Sequence, residues 1–202
     1  MKTAIGQTNA LYPSLTLLIG ARVNGKPNFL TVAHAGVIDE THLMISLAAT
    51  HHTTQGILEH REFSVNIPDS SLLEETDYCG IVSGKKTDKA DLFTVEYGDL
   101  EYAPLIRECP VSMECRVTQT MEQGRYLIFI GEIRMTYADD GIRGGRTIDP
   151  ERLRPILFAM STRGYYGLAG RLGNAWDVGM NLPLREREAS SHEGRSNLRS
   201  VF

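Results

Sequence analysis

The chain has 202 residues, 42% of them hydrophobic and 23% charged, with a formal net charge of −4. That balance supports one domain with a real core and excludes both a disordered chain and a strongly basic nucleic-acid binder. The start, Met1 to Gln7, has no apolar stretch for a signal peptide, and the run Leu15 to Ile19 is far shorter than a membrane span. A cytoplasmic protein that engages neither membrane nor nucleic acid is therefore expected, and the three cysteines, odd in number and without metal-type spacing, read as reduced thiols.

Ser14 to Ile19 is a β-type run ending at Gly20, and Asn24-Gly25 is a strong hairpin signal. The chain returns through Phe29 to Ala35. A third strand spans Thr41 to Leu47, where Leu43, Ile45 and Leu47 alternate with His42, Met44 and Ser46. Thr53 to His60 predicts a short helix with Thr53 or Thr54 as its cap. Phe63 to Ile67 alternates and stops at Pro68. Ser71-Leu72-Leu73-Glu74 has the spacing of a capping box, opening a helix that ends near Gly80.

A polar loop, Ser83 to Lys89, follows. Two long strands come next, Val111 to Thr118 and Arg125 to Tyr137, with Gly124 in the turn and Gly131 as a bulge. Gly141 to Pro155 is a Gly- and Arg-rich connector, Leu157 to Met160 another strand, and Arg163 to Leu168 an aromatic loop. From Arg185 apolar residues become scarce, so 185–202 reads as a polar tail. About seven strands and two short helices, the helices grouped in the middle, predict a mainly β antiparallel barrel.

Familiar catalytic signatures are missing. There is no G-x-G-x-x-G and no G-x-S-x-G. Gly80-Ile81-Val82-Ser83-Gly84-Lys85 resembles a P-loop, but has three residues between its glycines instead of four and a helix before it. The six histidines have no metalloprotease spacing and read as surface or loop residues, so no metal site and no catalytic side chain is assigned. Cys79, Cys109 and Cys115 read as packed small residues, and Trp176 as core or interface. A helix start with two threonines, a strand carrying Asn28 and Thr31, and a lysine-rich loop could together hold a planar ring with a terminal phosphate. The same residues also read as ordinary turns and caps.

The order of short motifs resembles the flavin-reductase-like, FMN-binding split-barrel family, which includes flavoredoxin. The matching pieces are Asn28-Phe29-Leu30-Thr31-Val32-Ala33, then Leu43-Met44-Ile45-Ser46-Leu47 before Thr53-Thr54, then Glu62-Phe63-Ser64-Val65-Asn66-Ile67-Pro68. Cys79-Gly80 to Ser83-Gly84 with Asp88-Lys89, Cys109-Pro110 with Glu114-Cys115, and Gly131-Glu132 complete the series. The usual aromatic step after Asp-Lys is displaced here, to Phe93.

The resemblance implies a split-barrel domain over 1–184 that binds FMN and acts as a homodimer. Asn28, Thr31 and Ala33 would line the isoalloxazine, with Phe29, Leu30, Val32, Leu47 and Ala48 on the same strands. Ser46, Thr53 and Thr54 would hold the ribityl chain and phosphate. Ser83, Lys85 and Lys89 would contact the phosphate or the second subunit; Tyr165-Tyr166 read either as stacking near the flavin or a partner chain or as simple packing at the barrel end. The implied activity is that of an oxidoreductase passing hydride or electrons from NAD(P)H through flavin. The alternative is a flavoredoxin-type electron carrier serving a redox protein partner, without its own nicotinamide site.

Overall fold

The structure, a computed structural model, describes residues 1–180, so the tail expected at 185–202 lies outside it. Met1–Gly170 forms one compact unit. The described residues from Arg171 belong to a second, in which the Val178 amide donates to the Asn174 carbonyl. The Trp176 side chain there is exposed, which corrects the core half of the core-or-interface expectation.

The first unit is built on β1 (Leu17–Val23), β2 (Lys26–Val32), β3 (Ala35–Val37), β4 (His42–Ala48), β5 (Glu62–Ile67), β6 (Val111–Gln123) and β7 (Tyr126–Ala138). They form one antiparallel sheet in the order β2-β1-β5-β6-β7-β4-β3. Helix α1 (His52–His60) follows β4, and α2 (Leu73–Ile81) follows β5. Later come α3 (Pro150–Leu153), β8 (Leu157–Ala159) and β9 (Gly164–Tyr166). Ser14–Leu15 pairs with β8, and β8 with β9, in a small second sheet.

Chain connectivity forces the large sheet to curl. The strands β2 and β3 are its two edges, about 29 Å apart if seven strands lay flat. Yet Val32 and Ala35 are joined only through Ala33 and His34, a link that reaches at most about 11 Å. The edges must therefore come together at this link, and the His34 carbonyl accepts from the Ser46 amide at 2.8 Å across it. The fold is the expected mainly β, split antiparallel barrel, and the split lies at Ala33-His34.

Inside the curl sit Leu17, Ile19, Leu30, Val32, Leu43, Ile45, Leu47, Phe63, Val65 and Phe129, the apolar phase of each strand's two-residue period. The strand β1 is buried on both faces, because Leu18 packs outward against Phe29, Cys79, Ile106 and Cys109. Helix α1 lies close against β1, since a Cβ on Gly56 would fall 2.2 Å from the Arg22 carbonyl oxygen. The Asn24-Gly25 hairpin forms with both residues at positive φ. Gly131 marks a register shift against β6 and leaves room for Phe63, whose ring a Cβ would meet at 2.5 Å.

Three local expectations are corrected. The capping box does not form; the Asp69 carboxylate instead accepts from the Ser71 amide at the 3-10 turn Ser70–Leu72 preceding α2. The connector after β7 contains a short pairing of Arg143–Gly144 with Thr147–Ile148 and the helix α3, capped by Asp149. The aromatic loop contains a strand, β9, since Tyr165 pairs with Phe158.

Candidate functional site

The split in the barrel holds a cavity of about 320 Å³. Thr31, Val32, Ala33, Ser46, Leu47, Ala48 and Tyr165 line it, all of them residues expected from the sequence at a ligand site. They meet because the end of β2 and the end of β4 face each other across the seam. Thr16, His34, His51, Gly80, Tyr126, Phe158 and Met160 complete the wall. Apart from Gly80, which belongs to the Cys79-Gly80 motif, no sequence signal marked these residues as site residues, since they come from separate segments brought together only by closure.

One wall is aromatic. The Phe158 and Tyr165 rings lie 5.5 Å apart on paired strands, and Tyr12 meets Phe158 edge-on at 6.3 Å. The Tyr165 hydroxyl donates to Asp77 Oδ1 at 2.8 Å, and burial followed by that carboxylate pushes its pKa up to about 12. Tyr12 and His34 join at 2.9 Å between hydroxyl and Nε2 at the rim.

The other end of the site is positive. Helix α1 begins with His51 as its N-cap, in extended conformation and without a side-chain cap, so its first amides are left open. Beneath it lies Lys89, 2% exposed, whose ammonium donates to the Cys79 carbonyl at 3.0 Å. Burial holds the Lys89 pKa below the ordinary lysine range, and burial together with the Lys89 charge lowers that of His51. Among the described residues this buried ammonium has one neutral acceptor and no paired carboxylate, an arrangement that leaves donors for an arriving anion.

Past this point a wider cleft of about 720 Å³ opens, lined by Lys26, Asn28, His52, Gly84, Lys85 and Lys86 among others. The loop before Lys89 is tight against β2. A Cβ on Gly80 would meet the Thr31 side chain at 3.3 Å, and one on Gly84 would fall 2.0 Å from Asn28 Oδ1. Gly80 lets the end of α2, and Gly84 the loop after it, lie close over the strand.

Several expected residues occupy other surroundings. Thr53 and Thr54 are buried within α1 and do not cap it, which corrects that expectation. Thr53 Oγ1 accepts from Asn28 Nδ2 at 2.6 Å, and Thr54 Oγ1 donates to the Ala48 carbonyl at 3.0 Å. They brace the site from behind, tying β2 and β4 to the helix start. Phe29 and Leu30 point their side chains into the two cores. Ser83 is exposed, and its Oγ accepts from the Lys85 amide at 3.3 Å. Cys79, Cys109 and Cys115 are buried and unpaired, and burial raises all three thiols, Cys79 to about 11 and Cys115 to about 12.

Residues 9–167 match the family described as "Flavin reductase like domain". Among solved structures, the flavoredoxin of Methanosarcina acetivorans superposes with a TM-score of 0.87 at 35% identity, covering 91% of this chain and 100% of that one. The flavoredoxin of Desulfovibrio vulgaris (Miyazaki F) gives 0.83 at 28% identity, covering 89% and 100%. An uncharacterised protein of Archaeoglobus fulgidus is 31% identical over 140 residues, 67% of this chain and 78% of its own length.

Proposed function

From the premise that this chain belongs to the flavin reductase like family, a flavin-binding family, we propose that it is an FMN-dependent oxidoreductase. The observation that carries the FMN reading is the cavity in the barrel seam, whose wall includes His51 and Gly80, together with the Lys89 ammonium buried near His51 on the Cys79 carbonyl. A planar ring suits the slot between β2, β4 and the Phe158-Tyr165 wall. A phosphate suits Lys89 and the open amides of α1, with Asn28 and Lys85 along the adjoining cleft. When bound, the flavin supplies reversible hydride or single-electron transfer.

The protein's part is to hold and shield. Backbone groups at Thr31 to Ala33 and Ser46 to Ala48 border the ring, Thr53 and Thr54 fix those strands to α1, and the aromatic wall keeps water from one side. No side chain is assigned a covalent role. The proposed donor is NAD(P)H, approaching the open side of the cavity. A flavoredoxin-type electron carrier is the second reading, favoured by the extended match to two flavoredoxins. Adding NADH or NADPH anaerobically to flavin-loaded protein separates them. Bleaching of the flavin's visible band supports the oxidoreductase, and its persistence supports the carrier.

The unit is proposed to be a cytoplasmic homodimer, with 1–184 as the flavin domain. Met160 lines the cavity yet is 49% exposed, and Tyr166 and Leu168, further along the chain, are half exposed as well. A second subunit over this edge would bury them and close the site. Light scattering of the flavin-loaded protein tests the dimer, which a monomer mass refutes. No helix of the described residues is long and apolar enough to cross a membrane.

A further inference from the structure

Among the described residues, three buried side-chain polar atoms have no hydrogen-bond partner: Thr16 Oγ1, His52 Nδ1 and Thr76 Oγ1. Of these, Thr16 alone lines the seam cavity. Its residue is 1% exposed, and its backbone amide is already satisfied, donating to the Ile156 carbonyl at 2.8 Å. Folding gives no reason for a hydroxyl here. The neighbours Leu15, Leu17 and Leu18 are apolar, and valine would occupy nearly the same volume without leaving a dry polar atom.

The strand register fixes which end of the cavity Thr16 serves. Leu17 pairs with Val32, so Thr16 stands at the next rung, beside Ala33. Asn28 lies five residues back along β2, about 16 Å away at strand spacing. Asn28 belongs to the cationic end, with Thr53, Gly84 and the lysine-bearing loop. Thr16 is therefore at the far end, where the ring of a mononucleotide would lie if its phosphate sits at Lys89.

We propose that Thr16 is a flavin-ring contact, its hydroxyl donating to a carbonyl oxygen or ring nitrogen on the polar edge of the isoalloxazine. The assignment rests on the flavin reading above. It makes Thr16 a residue that costs stability in the empty protein and returns it on binding. The bond also fixes how deeply the ring enters the seam, and polarises its conjugated edge.

The test compares wild type, Thr16→Val and Thr16→Ser. Each is titrated with FMN by fluorescence quenching, the bound spectra are recorded, and the flavin-free proteins are melted. Thr16→Val is expected to bind FMN about three- to tenfold more weakly, with a displaced visible band, while melting no lower than wild type without flavin. Thr16→Ser, which keeps the hydroxyl, is expected to restore the affinity and the spectrum. Wild-type affinity and spectrum in Thr16→Val overturn the proposal, as does a lower melting temperature for flavin-free Thr16→Val, which would mean that the hydroxyl serves the fold. A wild type that binds no flavin overturns the reading beneath it as well, and is distinguished by being seen before any variant is compared.

Discussion

The Lys89 ammonium donates to the Cys79 carbonyl oxygen at 3.0 Å, inside the protein and with no carboxylate of the described residues paired to it. Lysine is seldom buried without a counter-charge. Its position under the start of α1 joins the loop after α2 to the cationic end of the seam. Replacing it should separate the cost of that charge from its use. Lys89→Met is expected to raise the melting temperature of the flavin-free protein and to weaken FMN by about tenfold or more, with riboflavin little changed. Parallel titrations with the two flavins check this, and equal losses for both would move the phosphate elsewhere.

The same lysine sets a pH dependence. Burial lowers its folded pKa below the ordinary value of 10.5, so the unfolded chain holds that proton more tightly. The destabilisation is full below the folded pKa and fades as pH rises toward 10.5. The melting temperature of flavin-free wild type should therefore approach that of Lys89→Met as pH increases. A gap that is constant or widens across that range contradicts the assignment. FMN affinity should fall over the same range, because a neutral amine no longer attracts the phosphate.

Thr53→Ala combined with Thr54→Ala removes two internal hydrogen bonds, leaving Asn28 Nδ2 and the Ala48 carbonyl without these partners. The expected cost is about 2–3 kcal/mol of stability, measured by urea unfolding. Because these hydroxyls brace the strands, the pair should weaken FMN and riboflavin to similar extents, unlike Lys89→Met. A loss confined to FMN would instead place the hydroxyls on the phosphate.

Gly84→Ala places a Cβ 2.0 Å from Asn28 Oδ1 and 3.0 Å from the His52 ring. The exposed loop can retreat, so the melting temperature should change by about 1 kcal/mol equivalent or less, in line with surface changes. The loop would no longer close over β2, and FMN affinity should drop. Undiminished binding would show that the loop's close approach is irrelevant to the ligand.

Glu114 is fully buried and accepts from the amides of Gly98, Asp99 and Leu100 and from the Tyr137 hydroxyl, at 3.0–3.2 Å. It pins the loop after Glu96 to the middle of the sheet. Glu114→Gln replaces one acceptor oxygen with a donor that faces donors, and should cost about 2–3 kcal/mol in urea unfolding. A change under about 0.5 kcal/mol, the size of an ordinary surface substitution, would mean that the loop holds without the carboxylate.

Much of this protein was legible in the sequence. The two-residue period in Leu43-Ile45-Leu47 and Phe63-Val65-Ile67, the Asn24-Gly25 turn and Gly131 gave strands, hairpin and bulge, because these signals act between near neighbours in the chain. The motif order added the family and one wall of the cavity, since Thr31 to Ala33 and Ser46 to Ala48 are contiguous runs. What hydroxyls and charges do was decided by tertiary structure. Thr53 looked like a cap and is bonded to Asn28, twenty-five residues away, while Ser71 yielded its expected role to Asp69. Lys89 reads in the sequence as one of several lysines of a polar loop that would contact the phosphate or the second subunit, and only the fold buries it, on the Cys79 carbonyl and near His51. Thr16 carried no signal at all. Its significance comes from a hydroxyl left unanswered once the sheet has curled, and curling follows from a two-residue link between edge strands that only the complete strand order reveals.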